Sequence, residues 1–241
     1  MISRSVAITQ PTFLPWAGWF DLADQVDLVV VLDDVAFAKR SWQQRNRLRT
    51  PEGLSYVTVP VRSAGRRGQL IVDTELVAGE FIDSLIRTVS CNYARAAYFS
   101  RYFDEFCAVL KKSGEDGKLV ALNCGLISWF AAQLGVNTPL IRSSELAVEG
   151  KRGARLANLC EHVGARRYVS PAGAEEYLLE DRGEFDNRGI AVELQVYEHP
   201  AYRQCFEPFI PYASVLDLLL NEGEAAGAIM RSGRRAPRSL G

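Results

Sequence analysis

VAITQPTFLPWAGWFDLADQVDLVVVLDDVAFAKRSWQQRNR, residues 6–47, is the stretch that decides the fold of this chain. Residues 6–9 predict a β-strand, residues 19–25 a short amphipathic helix, and residues 28–32 a second, fully apolar strand. Polar side chains follow both strands. Because open α/β sheets bind ligands beyond the carboxyl ends of parallel strands, this strand–helix–strand unit predicts the position of the site as well as the fold.

The rest of the chain continues to alternate strand and helix patterns. Residues 54–61 and 69–76 are rich in β-formers and flank a basic loop, whereas 81–93, 97–112 and 119–134 show helical spacing, the last of them as a strongly amphipathic helix. This alternation predicts a mainly parallel sheet. A second α/β stretch follows, with strands at 140–142, 167–170 and 190–197 and helices at 152–163, 174–180 and 214–221.

The bulk composition is that of an ordinary globular protein. The 241 residues are 48% hydrophobic and 24% charged, with a net charge of -1, which argues against a dedicated nucleic-acid binder. We predict one α/β domain over residues 1–230, with an N-terminal half to about 135 and a C-terminal half from about 136. The tail, residues 231–241, is rich in Arg, Gly, Pro and Ser, and is predicted to be disordered.

Targeting and cysteine patterns point to a cytoplasmic protein. Five cysteines are widely spaced without a CxxC pair, which disfavours a zinc site or a disulfide framework. No signal-peptide pattern and no apolar run of membrane-spanning length is present. We therefore expect no membrane association, no bound metal and no cofactor.

A basic segment follows the second predicted strand. No acid occurs between Asp34 and Glu52, so a solvated face of mixed charge is the weaker interpretation and anion binding the stronger. Trp42 lies within the segment and is placed to stack on a base or a sugar ring. Asn46 adds an amide. The segment holds four cations within nine residues: Lys39, Arg40, Arg45 and Arg47.

Carboxylates and an amide stand at the predicted strand ends. Asp33 and Asp34 follow the apolar strand, where they suit a metal, a ribose hydroxyl or an amine; the alternative is that one caps the next turn. We expect one to be functional and one structural, with the choice between them open. Gln10 follows the first strand in a Pro- and Gly-rich turn and is the best polar contact there.

His199 is the sharpest candidate for proton transfer. It follows the predicted strand at 190–197, and a neutral imidazole there can accept a proton from an attacking amine. The alternative is a histidine bonded structurally in a turn. His162, the other histidine, is predicted to lie at a helix C-terminus, where it interacts with the helix dipole. Further polar residues predicted to bind substrate are Ser144, Lys151, Arg155, Ser170, Tyr202 and Gln204.

The order of these motifs resembles the WbqC-like protein family over roughly residues 5–225. The resemblance implies a place in bacterial O-antigen, capsule or similar biosynthesis, and transfer of an aminoacyl group such as glycyl to an amino sugar has been proposed for some members. The motifs include Gln10-Pro11, Pro15-Trp16, Gly18-Trp19-Phe20, Leu32-Asp33-Asp34, Lys39-Arg40-Ser41-Trp42, Arg45-Asn46-Arg47, Ser143-Ser144-Glu145-Leu146, Tyr168-Val169-Ser170 with Tyr177, His199-Pro200 and Asn221-Glu222-Gly223.

The opening unit also looks like a degenerate nucleotidylyltransferase-type Rossmann domain. In that superfamily a His-containing motif after the first strand binds phosphate. Residues 15–19, PWAGW, hold no histidine, which argues against ordinary adenylyl transfer. The fold class expected is therefore α/β, with a Rossmann-like N-terminal unit and an additional α/β C-terminal half that closes the cleft with His199.

These observations favour a transferase that moves an acyl or aminoacyl group from an activated or carrier-bound donor to an amine, in surface-polysaccharide or secondary-metabolite biosynthesis. The expected partners are a nucleotide-sugar or amine metabolite and an acyl or peptidyl carrier protein. Two alternatives stay open: a non-catalytic binding protein of a carrier or glycan pathway, and a metal-dependent hydrolase or nucleotidyl transferase. The predicted catalytic residues are His199, Asp33, Asp34 and Gln10.

Overall fold

A six-stranded sheet forms the centre of the computed structural model, which describes residues 4–240. The first five strands in spatial order are parallel, and the sixth is antiparallel to its neighbour. The predicted mainly parallel α/β sheet is therefore confirmed. Side by side, the strands are β5 (Leu140–Arg142), β2 (Leu28–Val31), β1 (Arg4–Thr9), β6 (Ala165–Ser170), β7 (Ala191–Tyr197) and β8 (Arg234–Ser239).

The order of the strands reverses between β1 and β6. From β1 the chain moves outward through β2 to β5, then returns to the other side of β1 and moves outward through β6, β7 and β8. Strands from both halves of the chain thus share one sheet. In doubly wound sheets this reversal leaves a crevice at the carboxyl ends of the two central strands, where ligands bind.

Helices cover both faces of the sheet because the strand side chains alternate. Val29 and Val31 pack into a cluster with α1, α4 and α8, whereas Leu28 and Val30 pack with α5, α6 and α7 on the other face. The helices are α1 (Ala17–Asp24), α2 (Phe81–Tyr93), α3 (Phe99–Gly114), α4 (Leu119–Leu134), α5 (Arg152–His162), α6 (Glu175–Glu180), α7 (Arg182–Asp186), α8 (Val215–Glu222) and α9 (Ala226–Ser232). Within residues 4–240, no helix has the length and apolar character needed to cross a bilayer.

Most of the predicted elements form, but the pattern was misleading in two places. The strand predicted at 69–76 is a pair of turns joined by isolated bridges, because Asp73 N donates to Leu70 O and Thr74 N to Ile71 O. The β-branched side chains there are buried anchors of a turn. α4 is not the strongly amphipathic helix expected: ten of its sixteen residues are buried, since it packs against α3, α8 and α9.

A β-hairpin is inserted after β2 and carries part of the basic segment. Its strands are β3 (Arg45–Thr50) and β4 (Gly53–Thr58), which pair antiparallel in a separate two-stranded sheet. Gly53 has a φ of +124°, a conformation that L side chains rarely adopt, so glycine suits the tight turn. Along β3, Asn46 and Leu48 are buried whereas Arg45 and Arg47 are only half-buried.

The structure corrects the prediction of a disordered tail at 231–241 for residues 231–240. Gly241, like residues 1–3 of the predicted domain, lies outside the described residues. Residues 234–239 instead form β8. Two ion pairs fix it: Arg234 Nε lies 2.7 Å from Asp21 Oδ1, and Arg234 Nη2 lies 2.6 Å from Asp24 Oδ2. The residue types of the tail are typical of disorder, and local composition carries no information about carboxylates more than 200 residues away in sequence.

We expect the Arg234→Ala variant to lose about 3 kcal/mol in its free energy of unfolding, because the fully buried Asp21 carboxylate is left without its charged partner. Arg238→Ala, on the same strand, is the matched control. Its ion pair with Glu175 is exposed to solvent, so its loss should leave the stability nearly unchanged. Urea denaturation of both variants measures the difference, and equal losses would show that β8 is not held by the buried pair.

Candidate functional site

A cavity of about 410 Å³ opens where the strand order reverses, and we call it the strand-end cavity. Residues that follow β1, β2 and β6 line it, together with residues of α5 and α6. It therefore occupies the crevice in which open α/β sheets bind ligands. The polar and aromatic lining residues are Thr9, Gln10, Thr12, Ser41, Trp42, Gln43, Arg152, Arg155 and Tyr177.

Asp33 is buried and fully engaged at the end of β2. Arg142 Nε lies 2.6 Å from Asp33 Oδ2, Ser144 Oγ donates to the same oxygen at 2.9 Å, and Ser144 N donates to Oδ1 at 3.0 Å. Ser143 Oγ also contacts the carboxylate. This geometry joins β2 to β5 and the turn that follows it. The structure thus gives Asp33 and Ser144, both predicted to act at the site, positions in a structural network.

Asp34 orients a cation of the strand-end cavity. Its carboxylate accepts from Arg155 Nη2 on α5 and, at 2.5 Å, from Ser143 Oγ. The buried Arg155 Nε has no hydrogen-bond partner among residues 4–240. Arg155 is therefore a fixed guanidinium on the cavity wall, with donors left for an anionic ligand. Of the two aspartates, Asp34 is the one coupled to the cavity.

The second cation at this cavity is Arg152 rather than the predicted Lys151. Lys151 is exposed and does not line the strand-end cavity, whereas Arg152 does. Arg152 Nη2 donates to Glu180 at 2.8 Å. The predicted and the observed cation are neighbours in sequence at the start of α5, and helical periodicity does not show which of two adjacent side chains faces the cavity.

Buried amides hold the loop after β1 in place. Gln43 Nε2 donates to Gln10 Oε1 at 2.8 Å, and Asn123 Nδ2 on α4 donates to the backbone oxygens of Gln43 and Pro11 at 2.8 and 3.0 Å. Because Oε1 of Gln10 is occupied, its Nε2 is the group that remains to donate to a ligand. The contact role of Gln10 stays a prediction, and Gln43, which was not among the predicted site residues, supports its side chain.

A second cavity of about 280 Å³, the hairpin cavity, adjoins the first and shares Thr12 and Trp42 with it. Arg47 lines it, with its guanidinium 5.3 Å from the ring centroid of Trp42 and its Nη2 donating to Tyr212 O at 3.2 Å. Trp16 forms a further wall. The shared residues make the two cavities neighbouring compartments of one cleft.

The C-terminal half closes this second compartment. Ser214 N donates to Arg47 O at 2.9 Å, and Val215 N donates to Pro15 O at 2.8 Å. Asn46 Nδ2 donates to the backbone oxygens of Phe13 and Leu14, so Asn46 lines the hairpin cavity while also fixing the loop after β1.

The predicted basic patch does not converge on one point. Arg45 stacks on Tyr56 with 4.5 Å between the guanidinium carbon and the ring centroid, on the outer side of the hairpin. Lys39 lines a separate cavity beside the loop at 63–69. Arg40 is exposed and lines neither compartment of the cleft. Only Arg47 of the four cations faces the cleft.

His199 lies directly behind the hairpin cavity. Its ring stacks on Trp16 at 6.2 Å between centroids and meets Tyr212 at 5.3 Å. Burial lowers the pKa of His199, so the imidazole is neutral near pH 7. Its Nδ1 lies 3.0 Å from Pro200 O, a carbonyl that can only accept. The proton is thus on Nδ1, which leaves Nε2 as a free proton acceptor.

Three of the predicted substrate-binding residues are buried elsewhere. Tyr202 OH and Gln204 Nε2 donate to Asp217 Oδ2 at 2.7 and 2.9 Å, and burial raises the pKa of that carboxyl. Ser170 is fully buried and accepts from Tyr168 OH at 3.3 Å. None of the three lines the cleft.

Residues 4–240 hold no group of three or more His, Cys, Asp or Glu side chains arranged to bind a metal ion. The two strand-end carboxylates are occupied by Arg142, Arg155 and two serines. They are therefore not an open pair of ligands, which is the arrangement that the metal-dependent alternative requires.

Sequence reasoning missed several residues of the cleft. Thr12 and Trp16 fall inside the opening motif, where the sequence predicts only a turn, and Tyr177 belongs to the family pattern without a predicted role. The feature of the sequence that could have indicated these three residues is that each follows the end of a strand of the central sheet. Tyr212 carried no such signal, because only the tertiary fold brings residue 212 against the hairpin.

Comparison with known proteins gives one family and one relative. The sequence model of the WbqC-like protein family matches residues 10–229. An uncharacterized protein of Mycobacterium tuberculosis, Rv1507c, is 35% identical over 229 residues, which cover 95% of this chain and 98% of that protein. No solved structure matches the chain at a comparable level of significance.

Proposed function

The chain belongs to the WbqC-like protein family, and from that premise we propose that it transfers an acyl or aminoacyl group, such as glycyl, from an activated donor to an amine. The observation that carries the proposal is the two-compartment cleft. The strand-end cavity presents the fixed guanidinium of Arg155, and the hairpin cavity has the neutral imidazole of His199 behind its wall. Two adjoining compartments suit a reaction that must align two substrates.

The strand-end cavity is proposed to bind the phosphate-bearing substrate. Numbered in chain order, the six strands follow the 3-2-1-4-5-6 arrangement of dinucleotide-binding sheets, with an antiparallel sixth strand. This supports a Rossmann-like interpretation of the whole sheet, to which both halves of the chain contribute. Arg155 and Arg152 supply the positive charge. Adenylyl transfer gains less support, because residues 15–19 lack histidine.

The chemistry requires one proton transfer and one carbonyl contact. The acceptor amine attacks the carbonyl carbon of the donor, a nitrogen–carbon bond forms, and the bond to the leaving group breaks. His199, which stands behind the wall formed by Trp16 and Tyr212, takes the proton that the amine loses through a bridging water, and Gln10 Nε2 donates to the carbonyl oxygen as charge develops on it. Asp34 acts as a positioning residue through Arg155.

The proposed substrates combine the cations of the strand-end cavity, which suit a phosphate-bearing ligand, with the transfer chemistry that the family resemblance implies. The acceptor is an amine on a nucleotide-linked sugar or a related metabolite, and the donor is an activated or carrier-bound acyl group. Such donors and nucleotide-sugars are made in the cytoplasm, the location expected for this chain. Surface-polysaccharide and natural-product pathways both contain reactions of this class.

Turnover of the His199→Ala variant tests the proposal directly. The purified protein is incubated with aminoacyl-adenylates or acyl-loaded carrier protein and amino-sugar nucleotides, and the amide product is followed by mass spectrometry. We expect His199→Ala to lose roughly 100-fold or more in rate, since general-base catalysis typically contributes that much. His162→Ala, which changes the other and exposed histidine on α5, should keep the wild-type rate. A His199→Ala rate equal to the wild type would overturn the base assignment.

The pH–rate profile should report the same group. Because burial lowers the pKa of His199 from its ordinary 6.5, the base is already deprotonated at pH 7. The rate should therefore change little above pH 7 and fall at a lower pH than an ordinary histidine would give, as the imidazole takes up a proton. A wild-type profile that still rises between pH 7 and 8 would show that a different group titrates.

A further inference from the structure

The positive charge of this chain is concentrated in one segment. Residues 35–72, which contain the hairpin and the loop after it, carry eight Lys and Arg side chains and one acid, Glu52. The other residues carry 20 Lys and Arg and 28 Asp and Glu. This segment thus has a net charge of +7 in a chain whose net charge is -1. Arg47 is the one cation of the segment that lines the cleft, so the cleft does not account for the other seven.

Part of this charge surrounds a third cavity, the loop cavity, of about 460 Å³. Lys39 lines it from the segment before the hairpin, and Arg66 and Arg67 line it from the loop after the hairpin. Only one carboxylate opposes them: Glu75 lies 3.1 Å from Arg66 Nη1, but it is shared with Arg62 and Lys118 at 3.9 and 3.7 Å. Lys39 and Arg67 form no ion pair within the described part of the chain.

The two sides of the loop cavity are fixed to each other by the backbone. Phe37 N donates to Gln69 O at 2.8 Å, and Ile71 N donates to Val35 O at 2.9 Å. Gly65 and Gly68, with φ of +71° and +72°, turn the chain between these anchors, and the space beside each of them is open to a distance of 4 Å. The backbone beside the loop cavity is therefore held by hydrogen bonds, and the cations around the cavity are exposed.

An unpaired amide marks the wall of the loop cavity. Gln69 lines it, and neither Nε2 nor Oε1 of that side chain has a hydrogen-bond partner in residues 4–240, although both atoms are buried. A buried amide without partners is costly, and a shift of the side chain that brings Nε2 to an anionic oxygen in the cavity would remove part of that cost.

We propose that the loop cavity binds a phosphoryl group, held by Lys39, Arg66 and Arg67 with the Gln69 amide. This site is distinct from the strand-end cavity. Val35 and Ser41 of the connecting segment line the strand-end cavity, whereas Phe37 and Lys39 line the loop cavity. Phosphate esters and diphosphates match three convergent cations, since arginine donates to such oxygens in pairs and lysine adds a point charge.

Calorimetric titration with inorganic pyrophosphate at low ionic strength tests the proposal. We expect the double variant Lys39→Ala/Arg67→Ala to bind at least tenfold more weakly than the wild type. Lys111→Ala/Lys112→Ala removes two exposed cations from α3 and is the matched control, with unchanged affinity. Arg155→Met alters the strand-end cavity, so it should lose any pyrophosphate bound there and keep the binding event that Lys39→Ala/Arg67→Ala weakens. The melting temperature of each variant checks that it is folded.

Three results would overturn the site. The first is a wild type that does not bind pyrophosphate, and the second is a Lys39→Ala/Arg67→Ala variant that binds it as the wild type does. The third is an equal loss in both double variants, which would mean unspecific attraction to a basic surface. A nucleoside diphosphate titration then identifies the source of the phosphoryl group. Loss in both Arg155→Met and Lys39→Ala/Arg67→Ala indicates one ligand spanning both cavities, and loss in Arg155→Met alone indicates separate ligands.

Discussion

The Arg155→Met variant is expected to fold like the wild type and to lose 10- to 100-fold in affinity for a nucleoside diphosphate. Charge-assisted hydrogen bonds contribute about 1.5–3 kcal/mol each, and a factor of ten in affinity corresponds to about 1.4 kcal/mol. Arg155 is the fixed cation of the strand-end cavity because Asp34 holds it from the end of β2. Isothermal titration calorimetry measures the loss.

A neighbouring cation supplies the control. Lys151→Met removes the same charge four residues away, from an exposed side chain that does not line the strand-end cavity, and its affinity should match the wild type. Since Arg155→Met leaves Asp34 without its ion pair, the double variant Asp34→Asn/Arg155→Met separates repulsion by Asp34 from loss of Arg155. If Lys151→Met and Arg155→Met weaken binding equally, Arg155 has no special role.

The Asp33→Ala variant should be the most destabilised of the site variants, by about 3–5 kcal/mol, as is typical when one partner of a buried ion pair is removed. Asp33 is fully buried and joins Arg142 and Ser144 to the end of β2. For a chain of this size, such a loss lowers the melting temperature by roughly 10 °C. Urea and thermal denaturation measure it, and Asp33→Asn, which keeps the shape, should lose less.

Asp34→Ala is the matched comparison on the adjacent residue. Its side chain is 17% exposed, so the loss in the free energy of unfolding should be about 1–2 kcal/mol, while the effect on nucleotide affinity should exceed that of Asp33→Asn. A larger destabilisation in Asp34→Ala than in Asp33→Ala would reverse the assignment of the two aspartates.

Local patterns were sufficient to predict most of the fold. The helix at 81–93 and the strand at 140–142 form with the predicted bounds, because apolar spacing and turn residues act over a few positions. β8 was missed because its stability comes from ion pairs with α1, and the strand at 69–76 was wrong because buried β-branched residues anchor turns as well as strands.

The candidate site was predictable in position but less so in detail. Gln10, predicted from a strand end, Trp42, predicted from the basic segment, and Arg155, predicted from a polar cluster on a helix, all line the strand-end cavity. Sequence could not show that Tyr202 and Gln204 turn inward to Asp217, since that depends on the packing of α8. The basic segment looked like one patch, because sequence spacing does not reveal that the hairpin and the loop direct its cations to different cavities.

The central claim is that the strand-end cavity binds the substrate, and hydrogen–deuterium exchange with and without a saturating nucleotide-sugar tests it most directly. Slower exchange is expected in peptides that cover residues 9–12, 152–156 and 171–177, because these segments meet at the cavity. The Arg155→Met variant should show no such slowing at the same concentration. Unchanged exchange in these three segments, with or without protection elsewhere, would contradict the claim.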